Sequence, residues 1–443
     1  MTTAQLPALT SEASDVIAVR PGPPLTGTVT VDGSKNAALP LLAAAAALRR
    51  PVQLSNVPAN ADVRTMLTLL QHAGHRVAHP VAEPSTVVAT PGESTHPAPG
   101  MHPTAARIRA SYYLVPALLA AHGGAALPWP GGCQIGGRGM EQHFTVYEAF
   151  GDRTTVDDHG YTVTAGRTPA GTVSLTLPFR SRGTTIAALL RAVVANRPLR
   201  LGRPNLSPEV LSVLDALREA CWETRAAERL LTLTPPSYPS QDTHSWTVPG
   251  DKVEAATLAC AVASTGGNAR IAGVRSTDIA PMTAALRWLG IPVTAHGTTL
   301  TVHAEDYHPT HRPLRAVASL SPGGLDADFE PPLMALALGL PGTHLFADSI
   351  NPGRHNNLLP QLARLGADIH ELSPTQCCLT GPQRLTGAGV EATDIRTGSA
   401  LLVAGLTARG VTTLGGLDQL RRGHADLPTK LRALGADICE VTP

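Results

Sequence analysis

One thiol stands in the stretch PGGCQIGGRGMEQH, Pro130 to His143, where Cys133 is surrounded by glycines and followed by Arg138, Glu141 and His143. Glycine allows sharp bends and close approach of backbone to a ligand, and a nearby guanidinium favours thiolate over thiol. The stretch is therefore a candidate for acid or nucleophile chemistry, although taken alone it equally fits a surface turn that contains a cysteine. Of the other cysteines, Cys221, Cys260 and Cys439 lie in apolar periodic segments and read as small core residues. No C-x-x-C pair occurs, and no cysteine has a histidine at zinc-ligand spacing, so neither a metal site nor a disulfide framework is expected. The H-x-x-H from His308 to His311 falls in the proline-rich YHPTHRP and reads as loop.

A second group of residues opposes the helices that carry it. Lys35, Arg109, Arg182, Lys252 and Arg396 stand at or near the N-termini of apolar helical segments, and Arg354 and Arg422 at those of the amphipathic segments that follow. A cation there works against the helix dipole by about 0.3 to 1 kcal/mol. An anion reverses that sign, because orphan N–H groups and side-chain donors then point at one volume. Any one of these cations could pair with a nearby carboxylate. Their recurrence at equivalent places instead suggests a cationic cleft between two similar domains, closing on a multiply anionic substrate and excluding water as it closes.

The elements that would position these residues repeat. LRWLGIPVTAH, LARLGADIHEL and LRALGADICEV are three versions of one helix ending, at a spacing of about seventy residues. Ahead of them lie apolar helices leading into short strands, and weaker copies occupy the first half: SKNAALPLLAAAAALRRPVQL, IRASYYLVPALLAAHGGAALPW and SRGTTIAALLRAVVANRPLRL. Each unit reads as an Ala/Leu-rich helix, a strand, a second amphipathic helix ending at glycine, and further strands. Helices apolar nearly all round are buried, so each domain is expected to pack its helices inside a shell of sheet. Two domains of three units follow, with a hinge near Pro249: 35–248 as the first, and 1–34 with 249–443 as the second.

Composition agrees with a two-domain α/β protein of 443 residues. Thirty-five Lys and Arg balance thirty-four Asp and Glu, which recommends neither nucleic acid nor an anionic membrane as partner. The first twenty residues lack the pattern of a secretory signal, and AALPLLAAAAAL is too short to span a bilayer, so a soluble cytoplasmic protein is expected.

The words DGSKNAALPLLAA, RASYYLVPALLA, PGGCQIGGR, ATDIRTGSALLVAG and RRGHADLPTKLRALGADI resemble the motifs of the enolpyruvyl transferases, above all the UDP-N-acetylglucosamine carboxyvinyltransferases of peptidoglycan synthesis. The likeness runs in order through nearly the whole chain. It implies a two-domain inside-out α/β barrel of six βαβαββ-type repeats, small-molecule substrates, phosphoenolpyruvate as donor, and no cofactor or metal. By the same resemblance Cys133 is the general acid, able to form a covalent adduct with the donor. Lys35, Asn36, Arg138, Arg396 and Arg422 hold the donor, with Lys35 and Arg422 counted among the catalytic groups. Asp328 takes the proton from the acceptor hydroxyl. Acceptor contacts are implied for Asn36, Arg109, Arg138, Gly139, Met140, Glu141, Gln142, the segment Phe179 to Arg182 with Ser181, Asp328, Ile350 and Arg354. An epoxide mimic of the donor such as fosfomycin is then expected to alkylate Cys133.

These residue types suit the reaction. Phosphoenolpyruvate resists an alcohol at C2 until C3 is protonated, so an acid and a base are needed on opposite sides of the reacting carbons. The adduct then loses phosphate and a C3 proton while cations stabilise the leaving group. Several smaller assignments stay open: Asp328 also suits a helix N-cap, Asp394 is a cap or a partner for Arg396, and Glu209 reads as structural.

Departures from the family pattern concentrate on the acceptor side. GLDADFEPP stands where FPTDMQ is usual, and GMEQH where PVDLH is usual. The acceptor therefore stays open between UDP-N-acetylglucosamine (3-OH) and UMP (ribose 3′-OH), the latter as in nucleoside-antibiotic pathways. A shikimate 3-phosphate acceptor, a catalytically silent nucleotide-binding protein of the same fold, and a thiol hydrolase built on Cys133 and His143 are the alternatives.

Overall fold

Alanine and leucine dominate the first helix of each repeat because that helix has no side facing water: in α1 (Lys35–Leu48) every residue from Ala37 to Ala47 is buried. Small side chains combine high helix propensity with close packing. The computed structural model describes residues 16–92, 103–132, 139–237 and 242–441. Six helix sets follow one another: α1 with α2 (Ala61–His72), α3 (Val115–His122) with α4 (Glu141–Ala149), α5 (Arg182–Ala195) with α6 (Pro208–Glu219), α7 (Lys252–Ser264) with α8 (Ala280–Trp288), α9 (Glu330–Ala337) with α10 (Arg354–Arg364), and α11 (Ile395–Gly405) with the short α12 (Leu417–Arg421) and α13 (Leu427–Ala433). The helix expected over IRASYYLVPALL is divided, with a 3-10 segment, Arg109–Leu114, running into α3. None of these helices is long and apolar enough to cross a membrane.

The helices α1, α3 and α5 pack on one another, as do α7, α9 and α11. Around them form two apolar cores, one from side chains between Ala37 and Val248, the other from Ile17 to Val31 together with Val253 to Ile438. Six sheets complete the shells, in the arrangement of an inside-out α/β barrel. Around α5, α9 and α11 the two strands flanking the inner helix pair in parallel and further strands add on antiparallel, whereas around α1 and α7 the flanking strands are exchanged, Thr26–Thr30 lying parallel to Asn268–Ala272 and Val52–Ser55 to His244–Thr247. Around α5, for example, Val173–Thr176 lies beside Leu199–Gly202, which pairs with Leu230–Thr234 and through it with Glu223–Ala226. Leu199 and Leu201 face inward and Arg200 outward, the period of two that a one-sided strand requires. The first strand of the chain, Ile17–Arg20, inserts antiparallel between Thr412–Gly415 and Asp437–Glu440 and completes the last sheet.

The chain passes between the cores twice, side by side. Ser34 N donates to Pro249 O at 2.7 Å, Asp251 N to Asp32 O at 2.8 Å, and Gly33 bridges Gly250. Glycine is required at both bridge positions, since a Cβ at Gly33 would sit 1.8 Å from Asn56 O and one at Gly250 2.1 Å from Gly273 O.

The outer helices of five units end at a left-handed glycine, Gly74, Gly151, Gly290, Gly366 or Gly435; in the remaining one the position is Cys221, at φ 65°. Cys221 is exposed, which corrects the expectation that it is a core residue: it occupies the turn that follows the helix. Cys439 is also exposed, on the strand Asp437–Glu440, with Arg20 Nη1 donating to its Sγ at 3.3 Å. Cys260 alone of the three is buried.

Candidate active site

The starts of the inner helices open on one cavity of about 720 Å³ lined by residues of both cores. Lys35 and Asn36 begin α1, Ser181 and Arg182 begin α5, Lys252 begins α7, Asp328 precedes α9, and Arg396 is the second residue of α11; all line the cavity. Arg109, Gly139, Glu141, Gln142, Phe179, Ile350, Arg354 and Arg422 line it as well. Among the described residues, Met140 is the exception to the expected acceptor contacts, because its side chain is buried in the first core. Cys133 and Arg138 lie outside the described residues, whereas Gly132 and Gly139 on either side both line the cavity. Arg422 departs from its expected place: it follows the C-terminus of α12, where the helix dipole favours a cation, rather than opening a helix.

Eight lysines and arginines and five carboxylates line the cavity among the described residues, so the wall carries an excess of positive charge. The anions that meet the helix-start cations here are the protein's own, which is the local-pairing alternative, but realised by buried carboxylates. Asp62 bridges the two cores, with Lys35 Nζ 3.1 Å from Oδ2 and Arg422 Nε 3.1 Å from Oδ1. Burial pushes its carboxyl up, yet the Lys35 and Arg422 charges outweigh burial and hold it below the usual range. A second bridge joins Arg182 and Glu209 of the first core to Lys252 and Asp326 of the second. Lys252 Nζ lies 3.0 Å from Glu209 and 2.7 Å from Asp326, and Arg182 lies 3.4 Å from each. Glu209 is thus part of a charge network between the cores.

Asp328 is the most heavily paired group. Arg396 grips it with Nε 2.9 Å from Oδ1 and Nη2 2.6 Å from Oδ2, and Arg354 Nη2 donates to Oδ1 at 3.0 Å. Arg354 is itself fixed by Asp348, 3.3 Å away, and by the carbonyl of Ala327. Burial would raise the Asp328 carboxyl, but Arg396 and then Arg354 overcome it and hold the group well below the ordinary carboxylate range. Asp328 does not cap α9, whose N-cap position is Phe329; Asp326 caps the 3-10 turn Ala327–Phe329 that leads into it, its Oδ1 accepting from Asp328 N at 3.0 Å. Asp394 is a cap, accepting from Arg396 N at 2.9 Å and from Thr397 Oγ1 at 2.6 Å, while the Arg396 side chain turns to Asp328.

His143 lines the cavity with its ring against Tyr112, centroids 4.5 Å apart. Burial, with Arg109 adding to it, depresses the imidazole to about 3. So weak a base is ill suited to activate a thiol, which removes the support for a Cys133–His143 hydrolase. Asp62 and Asp326 were not visible as site residues from the sequence. Asp62 looks like an ordinary first-turn acid of α2, and Asp326 carries only the weak signal of a second aspartate two residues before Asp328.

Residues 19–431 match the family described as EPSP synthase (3-phosphoshikimate 1-carboxyvinyltransferase). The chain is 34% identical over 436 residues to UDP-N-acetylglucosamine 1-carboxyvinyltransferase 3 of Symbiobacterium thermophilum, covering 95% of this chain and 96% of that one. It is 32% identical over 420 residues to UDP-N-acetylglucosamine 1-carboxyvinyltransferase of Gloeobacter violaceus, covering 94% and 88%. Among solved structures, the enolpyruvyl transferase NikO from Streptomyces tendae superposes with a TM-score of 0.81 at 24% identity, covering 98% of this chain and all of that one. EPSP synthase from Acinetobacter baumannii does so with a TM-score of 0.74 at 16% identity, covering 96% and 100%. The two structural likenesses bear on fold alone.

Proposed function

The chain belongs to the EPSP synthase family of enolpyruvyl (carboxyvinyl) transferases, and on that footing we propose that it moves the enolpyruvyl group of phosphoenolpyruvate onto a secondary hydroxyl of a uridine nucleotide, with release of phosphate. The observation that carries this reading is the convergence of Lys35, Arg396 and Arg422, from both cores, on one positively charged cavity that also holds Asp328. The two parts 35–248 and 1–34 with 249–443 act as the two halves of that site.

In the proposed reaction Cys133 protonates C3 of the donor, and the acceptor oxygen bonds to C2 as Asp328 takes its proton. Lys35, Arg138, Arg396 and Arg422 hold the donor's phosphate and carboxylate through the tetrahedral adduct. Loss of phosphate with a C3 proton then regenerates the double bond. Asn36, Arg109, Gly139, Glu141, Gln142, Ser181, Arg182, Ile350 and Arg354 shape the acceptor side. Two acceptors fit. UDP-N-acetylglucosamine is supported by the names of the relatives near one-third identity, and UMP by the altered acceptor-side motifs, which here bring Asp326 and Arg182 into contact.

Phosphate release from phosphoenolpyruvate, measured with UDP-N-acetylglucosamine, UMP, UDP and shikimate 3-phosphate in turn and with mass spectrometry of each product, tests the reading. Turnover with a uridine nucleotide and a product heavier by one enolpyruvyl group is expected. Turnover with shikimate 3-phosphate alone would replace the acceptor assignment, and nucleotide binding without phosphate release from any of them would point to a silent binding protein.

A further inference from the structure

Behind the Asp328–Arg354 contact lies a buried pair that the reaction above does not use. His355 Nε2 and Glu330 Oε1 are 2.8 Å apart, with side chains 1% and 0% exposed. Among the described residues, Glu330 Oε2 and His355 Nδ1 have no hydrogen-bond partner. Glu330 is the first residue of α9, two after Asp328, and His355 the second of α10, directly after Arg354. The starts of these two helices are therefore tied twice: by Arg354 to Asp328 on the cavity side, and by His355 to Glu330 on the core side.

Stability is a poor reason for this pair. Buried polar pairs often do no better than well-packed apolar side chains of similar volume, and an orphaned buried atom is a net cost. What the pair adds is direction, because a 2.8 Å contact between a planar ring and a carboxylate fixes how one helix start faces the other. We propose that Glu330 and His355 are positioning residues for enolpyruvyl transfer: their bond sets the start of α10 against that of α9 and so keeps the Arg354 guanidinium on Asp328 when Arg396 turns to the donor. The proposal rests on the reading of Asp328 as the base.

The test replaces the pair by apolar side chains, Glu330→Leu with His355→Phe, and follows phosphate release from phosphoenolpyruvate with UDP-N-acetylglucosamine and with UMP. The double variant is expected to fold with a Tm equal to or above that of the parent. Its kcat should fall roughly ten- to a hundredfold, the scale of a misplacement near one ångström, at a KM for phosphoenolpyruvate changed by less than about twofold. Its crystal structure should show Arg354 beyond hydrogen-bonding distance of Asp328. Glu330→Gln, which keeps a hydrogen bond to the imidazole, should recover most of kcat. A double variant with parental kcat and Arg354 still on Asp328 overturns the proposal. Should the Leu/Phe pair not fold, Glu330→Met with His355→Met is read by the same quantities, since methionine fills irregular space readily. Asp328→Asn in the same assay separates the premises: if it stays active, the base reading and the pair's role fall together, and if it is inactive beside a fully active double variant, the pair's role alone falls.

Discussion

A carboxylate that removes a proton must be ionised but not so stabilised that it binds the proton poorly, and Asp328 meets only the first condition as it stands. With Arg396 on both oxygens and Arg354 on one, its carboxyl lies well below the usual range, the charges overcoming burial. The donor's carboxylate, competing for Arg396, would strip Asp328 of its strongest partner and raise its basicity where it is needed. Asp328→Asn is accordingly expected to lower phosphate release by at least about a hundredfold, the lower bound for a lost general base, while binding of phosphoenolpyruvate stays measurable by calorimetry. Unchanged release would dismiss the base. The aspartate itself was legible in the sequence because its motif survives. Its partners were not, since Arg354 and Arg396 stand 26 and 68 residues further along and only the fold brings them to it. Asp62 was missed for a similar reason, its second partner Arg422 being 360 residues away.

Helix starts do most of the positioning, so the caps that fix them matter for binding as well as for stability. Asp394 is fully buried and accepts from the backbone of Arg396 and Thr397 and from the Thr397 hydroxyl, which sets where α11 begins and from where the Arg396 side chain departs. Asp394→Ala should therefore lower the free energy of unfolding by about 1 to 3 kcal/mol, measured by urea titration, and raise the KM for phosphoenolpyruvate through Arg396. Asp394→Asn, which can still accept from N–H groups, should fall between the two proteins. A variant with unchanged stability and KM would make the cap irrelevant to the site. The inner helices were readable from their small apolar residues, but their first turns were less so. Pro116 at the second position of α3 lacks the N–H and crowds the preceding turn, which disfavours an α-helix continuing back through it, and Arg109–Leu114 winds as 3-10. Arg422 stands past a C-terminus and not at the helix start the sequence suggests, because the short α12 ends just before it, an element without a counterpart among the described residues of the first five units.

Two lobes meeting across a charged cavity leave ionisable groups buried throughout the molecule, and their titration should show in stability. His75, His143 and His424 have ordinary values of 6.5 and are depressed to about 4, 3 and 3. Burial is the main cause in each, with Arg49 adding at His75, Arg109 at His143, and Lys35, Arg396 and Lys430 at His424. Between pH 6.5 and about 4 the unfolded chain therefore takes up three protons that the folded chain refuses, and acid weakens the fold. Glu254 opposes this: burial carries it from 4.5 up to about 7, with Asp32 raising and Lys430 lowering it, so over most of that window the folded chain holds one proton the unfolded chain does not. Three sites against one leave acidification destabilising, by on the order of 2 to 3 kcal/mol per pH unit for two unmatched protons. Asp62 and Asp328, held below their usual values, extend the loss to lower pH as their ion pairs are neutralised. Urea midpoints should therefore fall steadily from pH 7 to pH 5, and His424→Gln should flatten the slope by about one proton's worth without changing its sign. A midpoint that held level or rose on acidification would mean that these imidazoles take up protons in the folded protein, and that the space between the charged helix starts is open enough to water to let them.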